Sequence, residues 1–439
     1  MKDTAANPPC APLGTLLPSS LPSWKLGWQA LCGSKCQHRE ACLAEADCLR
    51  SHGGTTQPTA KDALFVPLPP LSAPSPADRF VNAVFNDGLG YYVLVAVLGI
   101  AAAPCFAIAM VLRTLYLEIS GQSQHDRDEV AESLAPDDLR DTTGQTSSLS
   151  DYGKHCFIEA NGMTFHCVVA GPSDGMPILL LHGFPETWYT WRHQLRGLSS
   201  KYRVYAVDMR GYGLSSKPEG TKHYTRSAIL QDIKSIIQVL GYGKGEIALC
   251  AHDWGGIVAW SFAEECPWLV KRLILINTLN PTLFKRNMGL KQLCMSFYMY
   301  IVLVFPGISD WVARLNDSYW IYDAFRIFGD GAISVVDMEI TRRLFCNPGS
   351  IQAAFAYYRN LMLDRWAAPK HVLGKDLAVP TLVIWGEGDL TLDRRTCLAG
   401  LGSEAGPVLL ASIPDGSHFP HEAKPGLVNQ TIDKYLSLE

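Results

Sequence analysis

The apolar run I-A-L-C opens directly into A-H-D-W-G-G, Ala251 to Gly256, and no other junction in the chain restricts the fold as much. A strand that turns sharply into a helix crowds its own backbone at the apex, so small residues are needed on both sides. Ala251, Gly255 and Gly256 supply them around Asp253. The layout is that of a nucleophile elbow, G-x-S-x-G, with aspartate at the apex in place of serine. An aspartate that only capped a helix would need no small residues at those three positions.

The apex residue selects the chemistry. A serine attacking an alkyl carbon would form an ether, which water cannot readily cleave. A carboxylate attacking the same carbon forms an ester, and water can then attack the ester carbonyl. The carboxylate is ionised near neutral pH and needs no base for the first step. Asp253 therefore points to alkyl transfer, by opening an epoxide or displacing a halide, and excludes serine-hydrolase chemistry at this site.

Around the elbow, short apolar runs alternate with helix-length segments: Ile178–Leu181, Val204–Val207, Ile247–Ala251, Leu273–Ile276, Thr381–Trp385 and Val408–Ile413. That pattern predicts an α/β fold, a mostly parallel sheet with helices on both faces. A hairpin across Asn161-Gly162 is expected ahead of it. The long interval between Leu273–Ile276 and Thr381–Trp385 exceeds one crossover helix, so its aromatic-rich helical text, about 280–370, reads as an inserted lid. H-G-F-P-E, His182 to Glu186, follows the apolar run P-I-L-L-L. In a hydrolase plan this loop and the residue after the nucleophile each lend a backbone N–H to an oxyanion hole, here Phe184 and Trp254. The order nucleophile, acid, histidine then places Asp389 of G-E-G-D and His418 of P-D-G-S-H at successive strand ends. Glu387 and Asp393 are nearby competitors for the acid. Asp389 would orient His418, which removes a proton from water.

The rest of the chain is organised around an uncharged stretch. Tyr91 to Leu112 carries no charge, and 22 residues at ~1.5 Å each reach ~33 Å, so a single membrane span over 91–113 is expected. Ahead of it, residues 1–90 form a Pro/Cys-rich tail with the spacing C-x3-C-x5-C-x5-C at Cys32, Cys36, Cys42 and Cys48, unlike the C-x2-C pairs of zinc sites. The tail is expected to be poorly packed. Residues 114–151 are acidic and read as a solvated linker, leaving 152–439 as the catalytic domain. With 38 Lys+Arg against 42 Asp+Glu the net charge is −4, which offers no basic excess for nucleic acid.

H-G-F-P-E, D-M-R-G-Y-G-L-S-S (Asp208–Ser216), H-D-W-G-G, Y-Y-R-N (Tyr357–Asn360) and G-S-H together resemble the α/β-hydrolase-fold epoxide hydrolases. The resemblance is strongest to the membrane-anchored animal branch, epoxide hydrolases 3 and 4, and covers about Tyr152 to Glu439. It implies two lid tyrosines that hydrogen-bond the epoxide oxygen and protonate the alkoxide. These map to Tyr358 and to Tyr298 of S-F-Y-M-Y, with Tyr300 as the alternative. It also implies a lipophilic epoxide, such as that of an unsaturated fatty acid, with water as co-substrate and a vicinal diol as product. No cofactor, metal or obligate protein partner is expected, and the implied location is a single-pass membrane protein of the endoplasmic reticulum acting in lipid metabolism. A haloalkane dehalogenase shares the aspartate elbow but commonly has Asn where Phe184 stands. A non-catalytic binding protein of the same fold should have lost a triad member, and none is missing.

Overall fold

The computed structural model describes residues 66–67, 74–86, 88–133, 147–299, 306–329, 331–363, 378–401 and 408–438, all within one unit, Pro58–Glu439. The four tail cysteines, Tyr300 and the apolar stretch 301–305 lie outside the described residues.

Among the described residues nine strands form one sheet: β1 (Val66–Pro67), β2 (Lys154–Ala160), β3 (Met163–Ala170), β4 (Met176–Leu181), β5 (Tyr202–Val207), β6 (Ile247–His252), β7 (Val270–Ile276), β8 (Thr381–Gly386) and β9 (Val408–Ile413). Their spatial order is β1-β9-β8-β7-β6-β4-β5-β3-β2. The six strands from β4 to β9 run parallel. The β2–β3 hairpin turns at Asn161-Gly162, where both residues have positive φ, and adds an antiparallel edge. The central strands are buried on both faces, which explains their continuous apolar text: Leu179, Leu181, Leu249 and Leu273 pack on one side, and Ile178, Leu180, Cys250 and Ile274 on the other.

β7 and β8 are neighbours in register, Leu273 opposite Thr381 through Ile276 opposite Ile384, although the intervening chain is long. That insertion carries helices Pro281–Arg286, Leu290–Met295, Pro306–Val312, Trp320–Phe328, Val335–Phe345 and Ser350–Met362. They lie over the carboxyl ends of the parallel strands, where open α/β sheets place their ligands.

Two segments expected to be unstructured hold packed helices. Pro76–Asn86, in the stretch assigned to the tail, buries Val81 and Phe85, one turn apart on one face. Ser75 and Asp78 bond reciprocally at its start, and Asp78 also receives the amide of Leu290 and pairs with Arg395. In the acidic stretch, Gln122–Ser133 is a helix with Asp126 and Val130 buried. Asp126 is charge-paired with Arg326 at 2.7 Å and bonded by the Tyr319 hydroxyl. Composition marks these segments as solvated; what it could not show was that particular residues of each find partners on the lid.

Between them runs one helix, Gly88–Ser120, which contains the uncharged stretch. Among the described residues no helix is long and apolar enough to cross a membrane. Arg113 near its end makes a two-pronged bond to Asp323 of the lid at 2.7 and 3.2 Å, and Leu117 is buried one turn on.

Candidate active site

Asp253 begins the helix Asp253–Glu265 immediately after β6, with φ of +46°. The turn is tight enough that a Cβ on Gly255 would sit 2.1 Å from the Leu181 carbonyl oxygen, and one on Gly183 would sit 2.5 Å from Asp253 Cβ. Glycine is therefore required at both places for steric reasons. The Thr278 hydroxyl donates to the Asp253 carbonyl at 2.6 Å and steadies the apex.

The Phe184 amide donates to Asp253 Oδ1 at 3.0 Å. His418 Nε2 lies 3.7 Å from Asp253 Oδ2, while its Nδ1 lies 2.8 Å from Asp389 Oδ2. Histidine thus stands between the two carboxylates. Burial disfavours its charged form, but the adjacent charges of Asp389 and then Asp253 more than offset this and raise its pKa to about 10. Burial pushes the Asp389 carboxyl upward too, yet His418 and the surrounding donors hold it below the usual carboxylate value. Those donors are the Thr391 amide and hydroxyl, the Leu392 amide and the Asn277 side chain. The two competitors are engaged elsewhere. Glu387 pairs with Arg394 and accepts from Ser412, and Asp393 caps the helix Arg394–Leu398 and pairs with Lys291.

Two tyrosines of the lid close the site. Tyr358, on the helix Ser350–Met362, is buried with its ring 4.9 Å from Trp254, 5.2 Å from Phe184 and 6.3 Å from Tyr298. The Tyr298 and Tyr358 rings meet edge-on, at an interplanar angle of 71°. Burial, followed for Tyr298 by the charge of Asp253, raises both phenol pKa values, so both carry their protons at neutral pH. The neighbouring Tyr357 turns away and donates to the Arg210 carbonyl at 2.8 Å. Trp254 occupies the first turn of the elbow helix and is fully packed.

Several supporting residues have a role that the sequence does not show, and one of them, Asn277, stands outside every motif quoted above. Asn277, at the end of β7 with φ of +37°, donates to Asp389 at 2.7 Å and accepts the Gly386 amide at 2.8 Å. Its only sequence signal is a polar residue closing the apolar run L-I-L-I. Tyr212, of the D-M-R-G-Y-G loop, feels the charge of Asp253, and its hydroxyl is buried without a partner. Beneath the triad, Glu186 accepts the Gly183 amide at 2.7 Å and meets His252 Nδ1 at 2.9 Å, and His252 Nε2 meets the His418 carbonyl at 2.8 Å. The chain Glu186–His252 therefore ties together the oxyanion loop, the elbow and the histidine loop. Glu186, His252 and His421 have ligand atoms within 4.8 Å of one another, a spacing that could admit a metal ion. Both nitrogens of His252 are already engaged, however, so its ring is committed to the hydrogen-bonded network.

The sequence pattern of the alpha/beta hydrolase fold family matches residues 176–425. Epoxide hydrolase 4 of Mus musculus is 33% identical over 297 residues, covering 65% of this chain and 80% of that protein. Epoxide hydrolase 3 of Mus musculus is 32% identical over 316 residues, covering 69% and 82%. The chain belongs to the α/β-hydrolase-fold epoxide hydrolases. Among solved structures, an epoxide hydrolase from Bacillus megaterium bound to its diol product superposes with a TM-score of 0.58 at 27% identity, over 64% of this chain and 100% of that one. The protein is thus an enzyme of the epoxide hydrolase family, and the family's fold accounts for the sheet and the elbow described above.

Proposed function

We propose that this epoxide hydrolase converts lipophilic epoxides, with those of unsaturated fatty acids as the substrate class, to vicinal diols through an alkyl ester on Asp253. One observation supports this above others: the Asp253 carboxylate stands among an amide donor, a histidine paired to a second carboxylate, and two protonated phenols of the lid. Asp253 attacks an epoxide carbon while Tyr298 and Tyr358 hydrogen-bond the ring oxygen and protonate the alkoxide as the C–O bond breaks. Forming the ester removes the negative charge of Asp253, one of the two that hold a proton on His418. With its pKa lowered, the imidazolium gives up its proton, which returns through solvent to the tyrosinate left by protonating the alkoxide, and the neutral ring then takes a proton from water, whose oxygen attacks the ester carbonyl carbon. The amides of Phe184 and Trp254 stabilise the resulting oxyanion. Its collapse releases the diol and restores the carboxylate. A halide would need donors in place of the phenols, so their presence favours epoxide over haloalkane. The apolar segment Tyr91–Leu112 attaches the enzyme to a membrane, with the endoplasmic reticulum as the compartment expected.

The test separates the half-reactions. His418→Gln should still form the ester and fail to hydrolyse it, so brief incubation with a fatty-acid epoxide should add one substrate mass to the Asp253 peptide by mass spectrometry. Asp253→Ala should give no adduct. In a single turnover of wild type in ¹⁸O-water the label should enter Asp253; label in the diol instead would mean direct attack of water on the epoxide.

A further inference from the structure

Two cysteines that the reaction does not use face each other across the β2–β3 hairpin. Cys156 of β2 and Cys167 of β3 are register partners, and both pack against the same side of the sheet. Residues directly opposite in an antiparallel pair hold their Cα atoms ~4.5–5.5 Å apart, inside the ~4.4–6.8 Å that a disulfide spans. The two-residue turn at Asn161-Gly162 fixes this register, and a slip of one residue would turn one sulfur to the other face. Both residues are free thiols. Cys250, in contrast, stands in β6 between Leu180 of β4 and Ile274 of β7.

The two thiols are unequal. Cys156 is half-buried, whereas Cys167 is fully enclosed. The neighbouring Cys167 lowers the Cys156 thiol, burial raises it in part, and His166, Lys154 and Arg203 lower it further, to about 7. Much of Cys156 is therefore the nucleophilic thiolate at neutral pH. Burial, and then Cys156 itself, push the Cys167 thiol upward, so it keeps its proton. A reachable thiolate beside a protonated thiol is the arrangement of an attacking and a resolving cysteine. The pair also lies where a cross-link would act. Among the described residues β2 ends the sheet and pairs only with β3, and an edge strand is the part of a sheet most open to wrong pairing. Next to Cys167, the His166 carbonyl accepts the Asp208 amide at 3.0 Å and the His166 ring meets the Asp208 carboxylate at 2.8 Å. That carboxylate accepts the Trp188 amide at 2.8 Å, two residues past H-G-F-P-E, so the hairpin supports the oxyanion loop.

We propose that Cys156 and Cys167 form a redox modification site, a reversible cross-strand disulfide that staples β2 to β3 when hydrogen peroxide is present. The Cys156 sulfur attacks one peroxide oxygen and the O–O bond breaks. Hydroxide leaves and is protonated to water, so the sulfur is oxidised to a sulfenic acid as the peroxide is reduced. The Cys167 sulfur then attacks the Cys156 sulfur, the S–O bond breaks, and the Cys167 proton leaves with the departing hydroxide as a second water. Two thiols and one peroxide give one disulfide and two waters, and exchange with a dithiol reverses the bond. To test this, full-length protein is reduced, desalted, exposed to hydrogen peroxide and alkylated with N-ethylmaleimide. Trypsin and a glutamate-specific protease then cut after Lys154 and Glu159 and so part the two cysteines. Mass spectrometry should find the Cys156 and Cys167 peptides joined, two hydrogens lighter than the separate thiols, and dithiothreitol should release them. The backbone amides of β2 and β3 should exchange with solvent at least ~10-fold more slowly in the oxidised protein, because the staple opposes opening of the hairpin. Replacing the enclosed Cys167 could unfold the hairpin, so the variant is Cys156→Ser. It should show neither the link nor the slowed exchange while hydrolysing epoxide at the wild-type rate. Peroxide that leaves both thiols open to alkylation, takes Cys156 to sulfinic acid without a link, or joins it to a different cysteine would overturn the site; a link that leaves exchange unchanged would overturn the staple.

Discussion

Asp253 holds a left-handed backbone conformation, φ of +46°, that costs an L-residue on the order of 1–3 kcal/mol and persists only where the surroundings enforce it. Enforcement comes from Thr278 on its carbonyl and from the crowding at Gly183 and Gly255. The same residue sets the state of His418. With Asp253 and Asp389 both ionised, the resting imidazole holds its proton up to about pH 10. Its folded pKa lies above the ordinary unfolded value of ~6.5, so its contribution to stability is complete below ~6.5 and is lost as pH rises through about 10. Thermal unfolding of wild type and His418→Gln compared across this range should therefore converge toward pH 10; a gap that widened with pH would contradict the paired imidazolium. The lid phenols make a second residue-level case. Tyr298→Phe and Tyr358→Phe each remove one donor to the developing alkoxide, and each should slow ester formation by ~10- to 100-fold in rapid-mixing experiments, the pair by more. Rates of ester hydrolysis should move far less, because the role proposed for the phenols belongs to the first step. Asn277→Ala takes a donor from a buried carboxylate and should cost ~1–3 kcal/mol of stability, read by denaturant titration, while slowing ester hydrolysis more than ester formation.

At the scale of elements, the lid and the helix Gly88–Ser120 are one assembly. The Arg113–Asp323 pair is partly exposed, and its worth should be modest, ~1 kcal/mol or less. A cycle of Arg113→Ala, Asp323→Ala and the double variant should nevertheless show non-additive losses in melting temperature, and strict additivity would mean the contact is absent in solution. Deleting residues 1–117 should detach the enzyme from membranes and also lower its melting temperature, because Val81, Phe85, Arg113 and Leu117 leave with the deleted segment. The parallel strands, the elbow and the order of the triad could be read from the chain because each has a local signature: continuous apolar runs for doubly buried strands, small residues at a crowded apex, a polar residue at a strand end. Tyr298 and Tyr358 needed family resemblance, since a lid tyrosine facing the site and one facing away, such as Tyr357, look alike in one dimension. The helices Pro76–Asn86 and Gln122–Ser133 were hidden for a related reason. Their stability comes from partners more than 150 residues away, Leu290 for Asp78 and Arg326 for Asp126, and composition alone describes only the segment itself. Asn277 escaped because an asparagine that closes a strand commonly just turns the chain, and its bond to Asp389 spans 112 residues.

At the scale of the whole molecule, the lid is a single insertion that both packs on the helix Gly88–Ser120 and brings Tyr298 and Tyr358 to the elbow. The insertion between β7 and β8 has a different consequence. Asp253 and both lid tyrosines precede 363, whereas Asp389 and His418 follow 378, and the two groups meet because β7 and β8 pair in register. A single cut between 363 and 378 would therefore divide the nucleophile from its base without removing either. Expressed apart, each piece should be inert, the first able at most to take on substrate that it cannot discharge. Expressed together, strand pairing should rejoin them into a working enzyme, and turnover would then report the meeting of two polypeptides, so the fold could serve as a two-part reporter of association.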